Sequence, residues 1–522
     1  MDEARTGSAD TLFDALYGGT EDTVLALLRA GAPAEATDED GQTPLYLAAV
    51  AGEPGIVRLL LVAGADPDRP SGPDRDDLPL CGAAVGGHTE VVRALLAAGA
   101  SPDRREALGF TALAWAVGQG HTATVEALLE HGADPDLPCP GGEAPLVVAA
   151  RRGSPSTVRA LLRHGAGARA EALDEARAWL ERDVETSLRQ ALLTAYGPDA
   201  GTVSRRIPED GGVTVVVEVL RDGRPAAGNE QQTGHGAIAT LLETALGVRT
   251  PYATLAGRAL REGDPERDDW TEPVAALRRR GDEETFQAAA AWCASDDPLH
   301  RAFAADVLAG LGFDGARQDP AAGRAPGARG EAERRADGVD RPFAARALPL
   351  LRELSRGARH PEPVRAAVHA LGRYADPSAV ADIARHAAHP DAPVRRQVAA
   401  ALCGLVPADG AEGLAALIAL AGDPDPEVGE RATASLAGAD ADTPEIREAL
   451  AARLDDRDPG TAAEAARGLA IRQDPRAGAA LSRLLTEQPP STRAHRTAAE
   501  AVRHLADPRL RTLLESITPR RP

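Results

Sequence analysis

The chain has no lysine, few aromatic residues and only four cysteines among its 522 residues. The absence of lysine excludes every site that depends on a lysine side chain, such as a P-loop, a protein-kinase nucleotide site or a Schiff-base enzyme. Aromatic residues make up 3% of a chain that is 43% hydrophobic, so its core must consist mainly of Ala, Leu and Val. Small side chains let helices approach closely, and the composition therefore favours stacked helices.

The sequence also lacks the signals of metal, disulfide and membrane proteins. Cys81, Cys139, Cys293 and Cys403 are scattered and form no C-x-x-C pair, which argues against a disulfide framework and a structural zinc site. No apolar run approaches the ~20 residues that cross a bilayer, and the first residues lack the profile of a signal peptide. We expect a cytoplasmic protein with no metal, no cofactor and no membrane contact.

The formal net charge is −21 at pH 7. A negative field repels phosphate backbones and argues against broad nucleic-acid binding, although a local arginine-rich face would still attract anions. Acidic composition is also common in soluble helix-repeat arrays.

One phrase occurs four times in the first third of the chain: "EPGIVRLLLVAGADPD" from Glu53, "HTEVVRALLAAGASPD" from His88, "HTATVEALLEHGADPD" from His121 and "SPSTVRALLRHGAGAR" from Ser154. Elements such as "TPLYLAAVAG" from Thr43 keep the same spacing. The pattern predicts five units over about residues 8–170, each made of two short helices and a projecting turn. One unit buries too little surface to fold alone, so the units must stack into a solenoid. The glycines of the Gly-Ala pairs stand at positions 31, 64, 99, 132 and 165, which are 33, 35, 33 and 33 residues apart.

These units resemble ankyrin repeats, whose pattern runs T-P-L-H-x-A-A, then G-H, V-x-x-L-L and G-A-D. The chain departs from the pattern at the histidine after T-P-L. Since that histidine ties the turns of adjacent repeats together in the family, the resemblance implies a looser array here. The residues at its position are Phe13, Tyr46, Cys81, Ala114 and Val147.

Partners of ankyrin proteins usually contact the turn tips and the exposed end of the first helix, so the resemblance implies protein partners at the matching positions. Leu108 and Phe110 stand apart, because a leucine and a phenylalanine beside a turn reduce solubility unless they pack or bind. At the other positions the alternative is an ordinary solvated turn residue. Trp115 stands where the family buries a leucine and is expected in the core. The candidate partner-binding residues are Glu39, Asp40, Gln42, Val50, Asp74, Arg75, Asp77, Leu108, Phe110, Gln119, Glu143, Arg151 and Arg152.

Residues 171–270 break the repeat and form a separate element. "EALDEARAWLERDVETSLRQALLTAYG" has helical spacing and is expected to cap the last ankyrin unit. "TVSRRIPEDGGVTVVVEVLRDGRP" combines a turn signal with a β-branched run and predicts one β-hairpin. The segments that follow return to helix.

The same element holds the one place where catalysis could begin. In "NEQQTGHGAIATLL", His235 lies between two glycines at a helix start, with Glu230 just upstream and Glu218 on the predicted strand. A general base needs such a histidine near a carboxylate. Gly-His-Gly is also an ordinary junction between a loop and a helix, and the sequence leaves both interpretations open.

Residues 271–522 repeat a different phrase, in which acidic residues and proline start a helix of Ala-rich apolar spacing, as in "HPDAPVRRQVAAALCGL". Val364, Val394 and Val428 mark successive registers. This array resembles short, Ala-rich HEAT repeats of the bilin-lyase type. The resemblance implies that Arg365 and Arg395 bond an Asp of their own or the next repeat. Residues 314–340 are rich in Gly, Pro and charge without period and predict a disordered loop.

We therefore predict a mostly α-helical protein of two solenoids, residues 1–170 and 271–522, joined by a small α+β element at 171–270. Stacked repeats form extended surfaces, which favours a non-catalytic scaffold or adaptor for one or more proteins. The alternatives are an enzyme or cofactor-handling protein of the bilin-lyase type, and a HEAT-type nucleic-acid binder. The sequence shows no nucleophile elbow, metal quartet or phosphate loop, so no enzyme activity or small-molecule substrate is expected.

Overall fold

The computed structural model describes residues 11–18, 20–73, 76–209, 211–312 and 342–517. It divides into two compact units, Met1–Pro273 and Val274–Pro522. The predicted fold class is confirmed, because the protein is mostly helical, with helical repeats and one small antiparallel sheet. The loop predicted at 314–340 lies outside the described residues.

Pairs of short helices stack along the first part of the first unit. Second helices contact second helices from one pair to the next, and from the second pair on first helices contact first helices in the same way. The pairs are α1 (11–18) with α2 (Glu21–Arg29), α3 (Pro44–Ala51) with α4 (Pro54–Val62), α5 (Pro79–Val85) with α6 (Thr89–Ala97), α7 (Ala112–Gln119) with α8 (Thr122–Glu130), and α9 (Pro145–Arg152) with α10 (Pro155–Arg163).

The sequence of each pair explains its shape. The hydroxyl of Thr43 accepts a hydrogen bond from the Tyr46 N–H and so caps α3, whose first residue is a proline with no N–H to satisfy. Ala48 and Ala49 are buried in the stack, where small side chains let the helices pack closely. The second helices contribute larger apolar residues, such as the buried Leu60. The core is therefore one continuous layer of Ala, Leu and Val.

A row of carboxylates joins the projecting turns. The carboxylate four positions after each Gly-Ala glycine accepts a hydrogen bond from a backbone N–H of the next turn, and we call this row the carboxylate ladder. Its bonds are Asp66 N to Glu35 at 2.8 Å, Ser101 N to Asp68 at 3.0 Å, Asp134 N to Asp103 at 2.9 Å and Gly167 N to Asp136 at 2.7 Å.

The repeated phrase supplies the geometry that the carboxylate ladder needs. Gly64 has φ of 94° and its counterparts are similar, so glycine alone turns the chain there without strain. The following alanine, Ala65, is buried and anchors the turn in the core. The next residues then project the carboxylate toward the neighbouring turn. The ladder ties adjacent turns together although the family's histidine is absent.

A further helix pair closes the array. Helix α11 (Arg169–Leu180) packs against α9 and α13 (His235–Ala245), and α13 also contacts α10. Ala172, Ala176 and Ile238 are fully buried in the same core as the repeats. The two helices thus occupy the positions of a sixth pair, although residues 181–234 separate them in sequence.

The separating segment forms α12 (Val184–Tyr196) and a three-stranded antiparallel sheet of order β1-β2-β3. The strands are β1 (Gly201–Glu209), β2 (Gly212–Arg221) and β3 (Arg224–Gln232). Val215, Val217 and Val219 of β2 pack against Leu188 and Leu192 of α12. The first unit continues through α14 (Tyr252–Glu262) into α15 (Asp268–Arg280).

The prediction of a single hairpin was incomplete. β1 and β2 form the hairpin expected at the turn before Gly212, but the chain turns again at Asp222 and Gly223 and adds β3. β3 was missed because "RPAAGNEQQ" has no β-branched residue and lies largely exposed at the sheet edge. Residues 229–232, just before the Gly-His-Gly junction, belong to this strand.

The second unit stacks helices in two rows. The helices that begin with the acidic-Pro phrase contact one another in order, and the remaining helices pack outside them. The first row is α17 (Pro298–Leu308), α19 (Pro361–Tyr374), α21 (Ala392–Ala401), α23 (Pro426–Ala437), α25 (Pro459–Ile471) and α27 (Arg493–Ala501). The others are α16 (Glu283–Cys293), α18 (Ala344–Gly357), α20 (Val380–Ala384), α22 (Ala411–Ala421), α24 (Pro444–Ala451), α26 (Arg476–Glu487) and α28 (Pro508–Ile517), with 3-10 turns at Pro377–Ala379 and Val502–His504.

Aspartate caps and ion pairs hold these repeats together. Asp425 caps α23 by accepting N–H groups of its first turn, and Pro426 follows it. Arg395 forms two bonds with Asp423 of the next repeat, at 2.7 and 2.9 Å. Arg365 bonds Glu362 of its own helix at 3.0 Å, so its partner is not the aspartate that the resemblance implied. Among the described residues, no helix has both the length and the hydropathy of a membrane span.

The carboxylate ladder generates a stability prediction. Asp68→Ala removes the bonds to the Ser101 N–H and hydroxyl, so the free energy of unfolding should fall by about 1–2 kcal/mol. Chemical denaturation measures the change. Asp40→Ala is the matched control, because this exposed carboxylate forms no hydrogen bond among the described residues and its loss should change stability by less than ~0.5 kcal/mol. Equal effects of the two substitutions would contradict a structural role for the ladder.

Candidate functional site

The candidate residues fall into three groups. One group is exposed on the first helices of the pairs and on the turns. A second is half-buried and packs within the turns, and a third forms ion pairs near the closing helices. Asp74 and Arg75 lie outside the described residues. The exposed group is Glu39, Asp40, Val50, Leu108 and Gln119, the half-buried group is Gln42, Asp77 and Phe110, and the ion-paired group is Glu143, Arg151 and Arg152.

The half-buried group supports the turns. Phe110 stacks on Trp115 with ring centroids 4.0 Å apart, so the phenylalanine packs against the molecule while Leu108 remains 72% exposed. Trp115 is only partly buried, and its Nε1–H donates to Glu106 at 2.6 Å. Gln42 accepts a bond from the Ser71 hydroxyl of the next turn at 3.4 Å.

Glu106 lies near the position at which the family places histidine. Burial raises the pKa of Glu106, whose carboxylate accepts the Trp115 Nε1–H. Burial, with the nearby Glu106 carboxylate, also raises the pKa of the Cys81 thiol. Cys81 stands where the family places histidine, and Glu106 is near enough to act on its thiol electrostatically.

Arg151 and Arg152 of the ion-paired group bond residues of α11 and β3 at the end of the array. Arg151 bonds Glu143 at 2.8 Å and Glu175 of α11 at 3.0 Å, and Arg152 bonds Glu230 of β3 at 2.8 Å. These side chains therefore hold the end of the array through ion pairs.

A row of exposed apolar residues lies on the first helices of the pairs, and only one of its members was predicted from the sequence. Tyr17, Val50 and Val85 stand at equivalent positions near the ends of α1, α3 and α5, and they are 71%, 45% and 39% exposed. We call them the apolar stripe. The next positions in the repeat are Gly118 and Arg151. Only Val50 was singled out from the sequence, although moving by one repeat length from it would have found the other two.

Histidines join the same helix ends. His88 Nε2 contacts the Val50 carbonyl and His121 Nε2 the Val85 carbonyl, both at 3.0 Å. His235 Nε2 contacts the Arg151 carbonyl at 3.2 Å in the same way. Each ring also lies over a glycine with positive φ, which leaves no room for a side chain there. His235 thus continues the histidine contacts of the repeats from the closing helix α13.

The catalytic arrangement considered from sequence is not formed. Glu230 pairs with Arg152, and Glu218 pairs with Arg205 at 3.0 Å, so neither carboxylate bonds His235. Instead the His235 ring stacks on Trp179 with centroids 5.2 Å apart. Sequence proximity suggested the wrong partners because β3 directs Glu230 toward α9. The hydrogen bond to Arg151 assigns His235 a structural contact.

A cavity of about 430 Å³ lies beside His235. Trp179, Arg182, Arg261 and Asp269 are among the residues that line it. Burial lowers the pKa of His235 to about 4, so its ring is neutral at pH 7. Burial raises the pKa of Asp269 to about 7, although its carboxylate accepts the Ala237 N–H at 2.7 Å.

A buried ion pair fixes α13 to α14. Glu243 is 2% exposed and accepts two bonds from Arg258, at 2.7 Å each, and one from Thr250 at 2.6 Å. Burial favours the neutral acid, but the bonds from Arg258, Thr250 and Arg177 lower the pKa of Glu243 to about 2. The pair is satisfied internally and serves the fold. Within the described ranges, no cluster of His, Cys, Asp and Glu could hold a metal ion.

Comparison with protein families identifies the repeats. The family model for ankyrin repeats matches residues 12–106 and 80–174, and the model for HEAT repeats matches residues 414–503. The chain therefore carries ankyrin repeats in its first third and HEAT repeats near its end, as the sequence predicted. Both kinds of repeat generally mediate protein–protein interaction and are typically non-catalytic. No curated protein matches the chain.

The buried, neutral state of His235 generates a pH prediction. Unfolding raises its pKa from about 4 toward 6.5, so the unfolded chain binds the extra proton and the stability contributed by His235 is lost as pH falls from 6.5 toward 4. The difference in unfolding free energy between the wild type and His235→Gln should shrink by about 2 kcal/mol between pH 7 and pH 5.

Chemical denaturation at pH 7, 6 and 5 measures this difference. Asp269 titrates in both proteins, so its own pH dependence largely cancels. His131→Gln is the control for the substitution itself, because His131 lies at the exposed end of α8 and not in the core. A pH-independent difference for His235→Gln would show that the ring is not held neutral.

Proposed function

We propose that this chain, with ankyrin repeats over residues 12–174 and HEAT repeats over 414–503, is a non-catalytic scaffold that binds protein partners. The observation that carries the proposal is the apolar stripe of Tyr17, Val50 and Val85. Single exposed apolar residues are ordinary, but a row of them in the register of the repeat makes a continuous surface that gains free energy when a partner covers it.

The surroundings of the apolar stripe suit an interface. Gly118 is the next position of the row, and a side chain built there would meet no atom within 4 Å, so a partner can approach the helix closely. Glu39 and Asp40 are exposed in the turn before α3 and add negative charge at the other end of that helix. An apolar partner surface with basic residues at its edge would complement this face.

The described geometry supports a scaffold more than an enzyme. His235, the catalytic candidate, bonds a backbone carbonyl and has no carboxylate partner. The HEAT repeats supply a second array, and a scaffold needs a second surface to hold another partner.

Pairing of arginines in the second unit argues against nucleic-acid binding. Arg395 pairs with Asp423, Arg356 with Asp382, and Arg476 with both Asp474 and Glu448. Guanidinium groups already neutralised by carboxylates attract phosphates less than free ones do.

We also place the scaffold in the cytoplasm. Cys81, Cys139 and Cys293 are free thiols. Free thiols suit a reducing compartment better than an oxidising one.

Substitution in the apolar stripe tests the proposal. Val85→Glu places a charge in the stripe and should reduce the amount of partner retained on the immobilised protein at least tenfold, because the charge must be desolvated on binding. Partners are identified and quantified by mass spectrometry from the native host. Val62→Glu is the control, since Val62 is 89% exposed at the end of α4 and lies outside the stripe. Unchanged partner lists for Val85→Glu would remove the stripe as the binding surface.

Gly118 offers a second test that does not alter an existing side chain. Gly118→Glu fills open space at the next stripe position and replaces a glycine in the last turn of α7, so stability should change by less than about 0.5 kcal/mol while partner retention falls. Thermal unfolding and the same retention assay measure both effects. Retention equal to that of the wild type would limit the interface to the first three helix pairs.

A further inference from the structure

The cavity beside His235 is not used by the scaffold function. Helices α11 and α13, strand β2 and the start of α15 all contribute to its walls, through Trp179, His235, Val215 and Asp269. Its volume of about 430 Å³ lies in the range of small-molecule sites. The cavity is contained in the first unit.

Two buried acceptors face the cavity. Asp269 is 8% exposed, and one of its oxygens accepts the Ala237 N–H while the other forms no hydrogen bond among the described residues. His235 is 2% exposed, and because its Nε2–H donates to the Arg151 carbonyl, its Nδ1 is left as an acceptor without a described partner. Both residues line the cavity, so these two acceptors suit a ligand that donates hydrogen bonds.

The charges around the cavity favour a positive ligand. Five carboxyl-bearing side chains and three arginines line it. Two of these carboxylates are paired with arginines, Glu262 with Arg206 at 3.1 Å and Glu185 with Arg189 at 2.6 Å. Arg261 donates to the Arg182 carbonyl at 3.2 Å, so the carboxyl groups of Glu181, Asp183 and Asp269 still outnumber the arginines that carry no carboxylate partner among the described residues. The guanidinium of Arg182 lies 4.9 Å from the centre of the Trp179 ring, which shows that this wall accommodates a planar cation.

We propose that this cavity binds a small organic cation with several N–H donors, of the guanidinium or amine class, with Asp269 as its main counter-ion. The donors bond the free oxygen of Asp269 and Nδ1 of His235, and Trp179 provides an apolar wall. This site goes beyond the scaffold function and does not rest on it.

The electrostatics of Asp269 supply a pH dependence. Glu262 and Asp268 face Asp269 with like charge and Arg261 with opposite charge, while His235 stays neutral above pH 6. Because burial raises the pKa of Asp269 to about 7, a cation binds the ionised form and displaces a proton. Affinity should therefore increase about tenfold from pH 6 to pH 8.

Isothermal titration calorimetry of the full chain with agmatine, which carries a guanidinium and an ammonium group, tests the proposal. Inorganic phosphate is the probe of opposite charge. Agmatine should bind at one site with the stated pH dependence, and phosphate should not bind there. No binding of agmatine at millimolar concentration, or tighter binding of phosphate, would overturn the proposal.

Asp269→Asn locates the site, because asparagine keeps an acceptor for the Ala237 N–H and removes the charge. It should weaken agmatine binding at least tenfold at pH 8 and abolish the pH dependence. Glu181→Gln, at an exposed position of the cavity wall, is a second variant that leaves the buried groups intact and should weaken binding about two- to threefold. Wild-type affinity in both variants would show that agmatine binds elsewhere and would overturn the proposal.

Discussion

The carboxylate ladder is the interaction on which the first array depends. Each helix pair is too small to hold its own shape, and helices of Ala and Leu can slide along one another with little change in buried area. Asp68, Asp103 and Asp136 remove this freedom, because each bonds one specific N–H of the next turn. The ladder thus fixes the register of the stack at the turns, while the His88 and His121 contacts fix it at the opposite helix ends.

The elements that repeat along the chain were predicted from the sequence. Helix pairs, glycine turns and apolar positions recur, so an interpretation of one repeat can be checked against the other copies. Contacts that occur once were harder to predict. His235 was judged by its neighbours Glu230 and Glu218, yet its partner is the Arg151 carbonyl, 84 residues earlier. Strand β3 was missed because its exposed edge position selects no β-branched side chains.

The candidate binding residues also divide into positions that follow the repeat and positions whose contacts lie outside it. Val50 was found because the family's exposed helix end falls there, but Arg151 and Arg152 occupy matching positions and are committed to Glu175 and Glu230. Those partners belong to α11 and β3, outside the repeat pattern. A family resemblance assigns positions within a unit, whereas the neighbours of the last unit depend on segments that the resemblance does not cover.

The split of the final helix pair bears on how the protein is made. Every earlier pair is contiguous and can dock soon after it leaves the ribosome, but α11 emerges long before α13, since residues 181–234 are synthesised between them. Until then the buried positions of α11, such as Ala172 and Ala176, lack one of their covering helices. The nascent array therefore has an incomplete end at this stage of translation, and the intervening sheet element must leave α13 free to reach it.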